Sequence, residues 1–154
     1  MVRALAAQEV ARTAADQGEL TVTAGLADAI AVLERSGSHR AAALIRRDIG
    51  LALLDRGDRV AAEMSLREAA TRLGHLDPGS AALAAAGLAS LHPGTPLAER
   101  LAALAWACAD SGQGVPVSPT SRRRLATLVG PRPDVPPDPA TAGEDLRALL
   151  LAAD

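Results

Sequence analysis

The 154-residue chain carries 16 basic side chains of the Lys/Arg kind against 18 acidic ones, for a formal net charge of −2. That length allows one domain with a buried core, and the charge balance offers no overall field for nucleic acid or an anionic membrane. Cys108 is the sole cysteine, which excludes an intrachain disulfide and fits a reducing, cytoplasmic setting.

In chain order, the first helical pattern runs from about Val2 to Asp16, with Leu5, Val10 and several alanines towards one side. Its acids Glu9 and Asp16 interrupt any apolar run, so it does not read as a signal peptide. Gln17-Gly18-Glu19 ends it, and a second pattern follows from about Leu20 to Arg35, with Val22, Leu26, Ile30 and Leu33 at helical spacing. Ser36-Gly37-Ser38 separates it from a third, about His39 to Arg56. That helix is apolar over much of its girth and is expected to lie centrally. Asp58 is the expected N-cap of a fourth helix whose face is Val60, Met64, Leu66, Ala69, Ala70 and Leu73. Glu63 with Arg67 and Glu68 with Arg72 form acid-first pairs four residues apart on its outer side.

Asp77-Pro78-Gly79-Ser80 is a turn followed by helix entry, and the Ala-rich fifth helix extends to about Leu91. His92-Pro93-Gly94-Thr95-Pro96 breaks the chain before a sixth helix, about Pro96 to Asp110, striped by Leu97, Leu101, Leu104, Ala105 and Cys108. A loop covers Ser111 to Pro119, a short helix about Thr120 to Val129, and a linker with five prolines Gly130 to Pro139. An amphipathic helix closes the chain over about Ala140 to Ala153, with Leu146, Leu149 and Leu150 on one side. No window reaches the roughly 18 apolar residues of a membrane span.

The helix-breaking glycines Gly18, Gly57 and Gly94 are spaced 39 and then 37 residues apart. The segments Gly50-Leu51-Ala52-Leu53-Leu54 and Gly87-Leu88-Ala89-Ser90-Leu91 repeat one another, again 37 residues apart. Glycine inside a helix costs about 1 kcal/mol, and close approach of a neighbouring helix would offset it. A period of this length points to stacked helical pairs. The middle unit, about residues 41–78, resembles a tetratricopeptide repeat. Ile49-Gly50 is similar to the family's large-then-small pair, and Ala62, Leu66 and Ala69 match the small, large and small positions of its second helix. Leu76-Asp77-Pro78 resembles the family's exit one helical turn late, and Arg46 stands where the family has an aromatic. A second register is set by Gly25-Leu26-Ala27, which repeats the same Gly-Leu-Ala.

The resemblance implies an all-α, right-handed array of antiparallel helical hairpins, a tetratricopeptide-like solenoid of about seven or eight helices. Three hairpins would occupy residues 1–118 (about 2–35, 39–74 and 79–111), followed by a short helix over 119–130, the linker 131–139 and a C-terminal helix over 140–154. That last helix would cap the array or dock on a partner. The implied function is a non-catalytic adaptor or scaffold that binds a protein or peptide segment on the face lined by first helices. Gln8, Arg12 and Ala15 would line it in the first unit, Leu44, Arg47, Leu51 and Leu54 in the second, and Ala84, Leu88 and Leu91 in the third. So apolar a groove suits a helical or apolar partner, or the chain's own tail. Association of two copies through an uncapped end is a further expectation.

The remaining candidates are each weighed against a plainer role. Arg122-Arg123-Arg124 is the densest basic run, but three charges give only weak, salt-sensitive contact with nucleic acid, and no aromatic neighbour is present to stack on a base. The chain has no Lys, Asn, Phe or Tyr. All four use AT-rich codons, so a GC-rich bacterial genome accounts for the arginines without a phosphate partner. Trp106, the only aromatic, is a core anchor or an interface hot spot. His39, His75 and His92 lie 36 and 17 residues apart, without metal-ligand spacing. No nucleotide loop, hydrolase elbow or metalloprotease motif occurs, so neither cofactor nor metal is expected. The alternative function is a helical regulatory module that binds nucleic acid through residues 120–129 or a small apolar ligand among its helices.

Overall fold

A computed structural model describes residues 24–153, and within them the chain forms seven α-helices and no strand. They are α1 (Ala24–Arg35), α2 (His39–Asp55), α3 (Arg59–Leu76), α4 (Pro78–Leu91), α5 (Pro96–Asp110), α6 (Pro119–Val129) and α7 (Ala142–Ala152). Three of the six breaks fall at Gly37, Gly57 and Gly94, all with φ between +76° and +81°, a backbone conformation that side chains with a Cβ resist. The helix starts are capped by the short polar residues that precede them: Asp58, Asp77, Thr95 and Ser118 each accept a backbone N–H from the first turn that follows. Ser38 precedes α2 without a side-chain cap bond. No helix among the described residues is long and apolar enough to cross a membrane.

The centre of the fold is α4, which packs against α2, α3, α5, α6 and α7. Ala, Gly and Leu make up most of this helix, and 12 of its 14 residues are buried. A helix surrounded on all sides has no solvent face, so α4 lacks the amphipathic stripe that marked its neighbours. The sequence pattern instead places His39 to Arg56 centrally. In the structure α2 is well covered, but Arg46, Arg47 and Asp48 keep one side of it partly open.

The repeated glycines converge on one side chain. A Cβ on Gly50 would lie 2.6 Å from Leu66 Cγ, and one on Gly87 would lie 2.8 Å from Leu66 Cδ1. Leu66 itself is fully buried. It therefore wedges between α2 and α4, which approach α3 closely only because both contact positions lack a side chain. Arg46 also has a structural role: it reaches Glu34 at 2.7 Å and Glu68 at 3.1 Å, and so ties α1 and α3 to α2. The Arg46 guanidinium holds the Glu34 carboxyl below its ordinary range against the opposing effect of burial.

The two C-terminal helices cover different parts of this assembly. Helix α6 packs on α4 with Leu125 fully buried, and its Arg124 pairs with Asp55 at the end of α2. Helix α7 packs mainly on α3, burying Leu146, Leu149 and Leu150. There the chains touch backbone to backbone, because a Cβ on Gly74 would come within 2.7 Å of the Gly143 carbonyl oxygen. His75 Nδ1 meets Glu144 Oε1 at 2.8 Å across the same junction.

Candidate functional site

Asp77 is the one buried charged side chain among the described residues. It is at once the last residue after α3 and the N-cap of α4. Its Oδ1 accepts the Ser80 N–H at 3.2 Å and the Val115 N–H at 3.3 Å. Its Oδ2 accepts the Ser80 hydroxyl at 2.7 Å and Arg40 through Nε at 2.7 Å and through Nη2. Burial works to raise its pKa, but these donors stabilise the carboxylate and hold the group below its ordinary value. One side chain therefore joins the start of α2, the start of α4 and the 111–118 loop.

A solvent-open cleft of about 310 Å³ lies beside this junction, at the lower end of the about 300–1,000 Å³ common for binding pockets. Leu44, Leu83, Val115 and Val117 supply its apolar surface, and Arg40, Arg47, Ser80, Ser118 and Ser121 its polar surface. Arg40 and Arg47 stand seven residues apart on α2 and so share a face. Each is held by a carboxylate along its Nε–Nη2 edge: Arg40 by Asp77, and Arg47 by Asp48 at 2.9 and 2.7 Å. Arg47 Nη1 also lies 3.4 Å from the Ser80 carbonyl. A guanidinium has five N–H groups, so each arginine is fixed in place and keeps donors beyond those its carboxylate accepts. The cleft can thus seat an apolar group and hydrogen-bond an acceptor beside it.

The sequence candidates fall into different environments. Arg47 and Leu44 line the cleft together, and Leu54 is partly buried against the core. Leu51 is 4% exposed, Ala84 and Leu88 are buried, and Leu91 is 5% exposed, so these four lie within the packed interior. Gln8, Arg12 and Ala15 lie outside the described residues. Trp106 is buried, and its Nε1–H donates to the Gly130 carbonyl at 3.2 Å, which fixes the end of α6 to α5.

The basic run is divided by its partners. Arg122 pairs with Asp110 at 2.9 Å and donates to the Ala109 carbonyl, Arg124 pairs with Asp55 at 2.8 Å, and Arg123 contacts Thr120 on its own helix. Arg132 also reaches Asp110, at 2.6 Å. Although burial opposes it, the two arginines together keep that carboxyl below its ordinary value. Cys108 is fully buried, and burial pushes its thiol up to about 12, with the charge of Asp145 adding to the effect. It is therefore no ready nucleophile. His92 Nε2 lies 2.9 Å from Glu63 Oε1, and no group of His, Cys, Asp and Glu among the described residues is arranged to hold a metal.

The sequence reading places Asp77 in a turn and residues 111–119 in a loop, but it assigns neither of them, nor Arg40, to a site. The Asp-Pro-Gly-Ser string signals a helix cap, and Asp77 is one. Nothing local indicates that Arg40, 37 residues earlier, covers the same carboxylate. A second, more apolar groove of about 480 Å³ lies between α5, α7 and Pro137, floored by Leu104 and Leu149. No protein-family model, curated protein or solved structure matches the chain.

Proposed function

We propose that the chain is a non-catalytic protein-binding module, a tetratricopeptide-like adaptor that takes a short segment of a partner protein in the cleft between α2 and α4. The observation that carries this reading is the pairing of an apolar surface with two pre-oriented arginines in one open cleft. Leu44 and Arg47 are also groove positions that the repeat resemblance implies. On this reading α6 occupies part of the groove as an internal ligand, with Leu125 as its anchor. The vacant part accepts an extended segment that places an apolar side chain against Leu44 and Leu83 and a carbonyl or carboxylate near Arg47. The nucleic-acid alternative loses support because Arg122 and Arg124 are already engaged by Asp110 and Asp55.

Panning a random dodecapeptide library on the purified chain tests the proposal. Enriched peptides should share an apolar residue beside an acceptor, and Arg47→Gln should weaken their binding by about tenfold, the equivalent of one lost charge-assisted hydrogen bond. Peptides that bind Arg47→Gln as well as the parent would place recognition elsewhere.

A further inference from the structure

We infer that residues 112–117, between the cap residues Ser111 and Ser118, form a strap that opens as a unit from the wall of the cleft and is latched in its closed position by Asp77. Val115, Pro116, Val117 and Ser118 all line the cleft, so the position of this segment sets the cleft's width. Among the described residues no backbone–backbone hydrogen bond involves positions 112–117. The segment is held instead by three long side-chain bonds: Val115 N–H to Asp77 Oδ1 at 3.3 Å, Gln113 Nε2–H to the Ala140 carbonyl at 3.4 Å, and Gln113 N–H to Ser111 Oγ at 3.2 Å. Residues 112–116 are exposed, and Val117 alone is packed against the core. Few buried contacts and weak bonds give a segment a low free energy of local opening.

The closed position is nonetheless well defined. Gly114 has φ +80° and lies so close to the Asp77 carboxylate that a Cβ there would overlap Oδ1. A Cβ on Gly79, in the first turn of α4, would lie 2.7 Å from the Val115 carbonyl oxygen. Opening does not strand the buried acid. When Val115 leaves, Asp77 keeps the Ser80 N–H, the Ser80 hydroxyl and Arg40. The latch can therefore release without exposing the helices to the penalty of an unpaired buried charge. On the cleft reading above, a segment seated against Val117 adds contacts that only the closed strap offers, so binding shifts the strap towards closure.

Hydrogen exchange of the intact chain, followed by mass spectrometry, tests the latch. In the parent protein the two bonded strap amides, those of Gln113 and Val115, should exchange more slowly than in an unstructured peptide, yet well ahead of those in α4. Gly114→Ala should speed exchange across the strap by about tenfold, since a methyl beside Asp77 disfavours closure, and leave α2, α3 and α4 protected. Gln113→Ala removes the second bond without touching Asp77 and should speed strap exchange more modestly. Gln113 and Val115 amides that exchange freely in the parent overturn the inference, as does a Gly114→Ala strap in which they exchange at the parental rate. Deprotection of α4 in step with the strap overturns it too, because the segment would then belong to the global core. A peptide from the panning experiment should slow strap exchange. If the latch result holds and no peptide does so, the cleft reading fails while the latch stands.

Discussion

The wedge of Leu66 between Gly50 and Gly87 gives the most discriminating stability prediction. In an ordinary helix interior Gly→Ala stabilises by about 1 kcal/mol. At Gly50 the new methyl would sit 2.6 Å from Leu66 Cγ, 2.8 Å from its Cδ2 and 3.1 Å from its backbone N. Two of those atoms belong to the branch point and the main chain, so rotating the end of the side chain cannot relieve the overlap and α3 must move. Overpacking of this kind costs about 1–3 kcal/mol. The clash should win, leaving Gly50→Ala less stable than the parent by about 1 kcal/mol. Leu66→Ala alone removes a fully buried leucine and should cost about 2–5 kcal/mol. In that background the obstructing carbons are gone and the Gly50 methyl enters the cavity, so the same substitution should become neutral or stabilising. Urea unfolding of the four proteins at a common m-value measures the cycle. A sign reversal with a coupling of about 1–2 kcal/mol is expected. Additivity within about 0.5 kcal/mol, or a Gly50→Ala protein that gains the full helix-propensity increment, would show that the approach is not tight.

Asp77 and Cys108 supply two more predictions. Because donors hold the Asp77 carboxyl below its ordinary 3.8, the stability it contributes is complete above about pH 4 and is lost as pH falls through the depressed folded-state value. Asp77→Asn should lower stability at pH 7 by about 1–3 kcal/mol and flatten the loss below pH 4; an acid limb identical to the parent's would remove Asp77 from the set of responsible carboxylates. Cys108, fully buried with its thiol pushed up to about 12, should resist iodoacetamide at pH 8 in the native state and react fully in urea. Stoichiometric labelling of the folded chain would mean that α5 opens on the experimental timescale.

The helices were legible because their signals are local. Glycine at positions 37, 57 and 94, with short polar residues before the next helix, marks three of the breaks, and the structure shows left-handed glycines at all three and side-chain caps after Gly57 and Gly94 but not after Gly37. Even one tertiary feature could be read: the 37-residue recurrence of Gly50 and Gly87 implies close helix approach, and Leu66 supplies the approaching surface. The central position of α4 was not legible, because complete burial erases the amphipathic contrast that pattern reading depends on. The candidate site was half legible. Leu44 and Arg47 are among the positions that the repeat resemblance implies, whereas Arg40 and Val115 join only through Asp77, across 37 and 38 residues of chain.

That difference has a physical origin in how a cap works. An N-cap needs only one carboxylate oxygen for the helix it starts, and a sequence registers that use through the residues immediately after it. The second oxygen is free to take a partner from anywhere in the fold, and at Asp77 it takes Arg40. Burying the cap then obliges every remaining lone pair to find a donor, which draws the Val115 amide to the first oxygen. The cleft is thus a by-product of satisfying one buried acid: its arginine is oriented and its loop wall is held by bonds whose first purpose is to keep Asp77 ionised. A substitution that spares the helix cap but disturbs those extra bonds should therefore alter the cleft while leaving the seven helices in place, and Gly114→Ala is such a substitution.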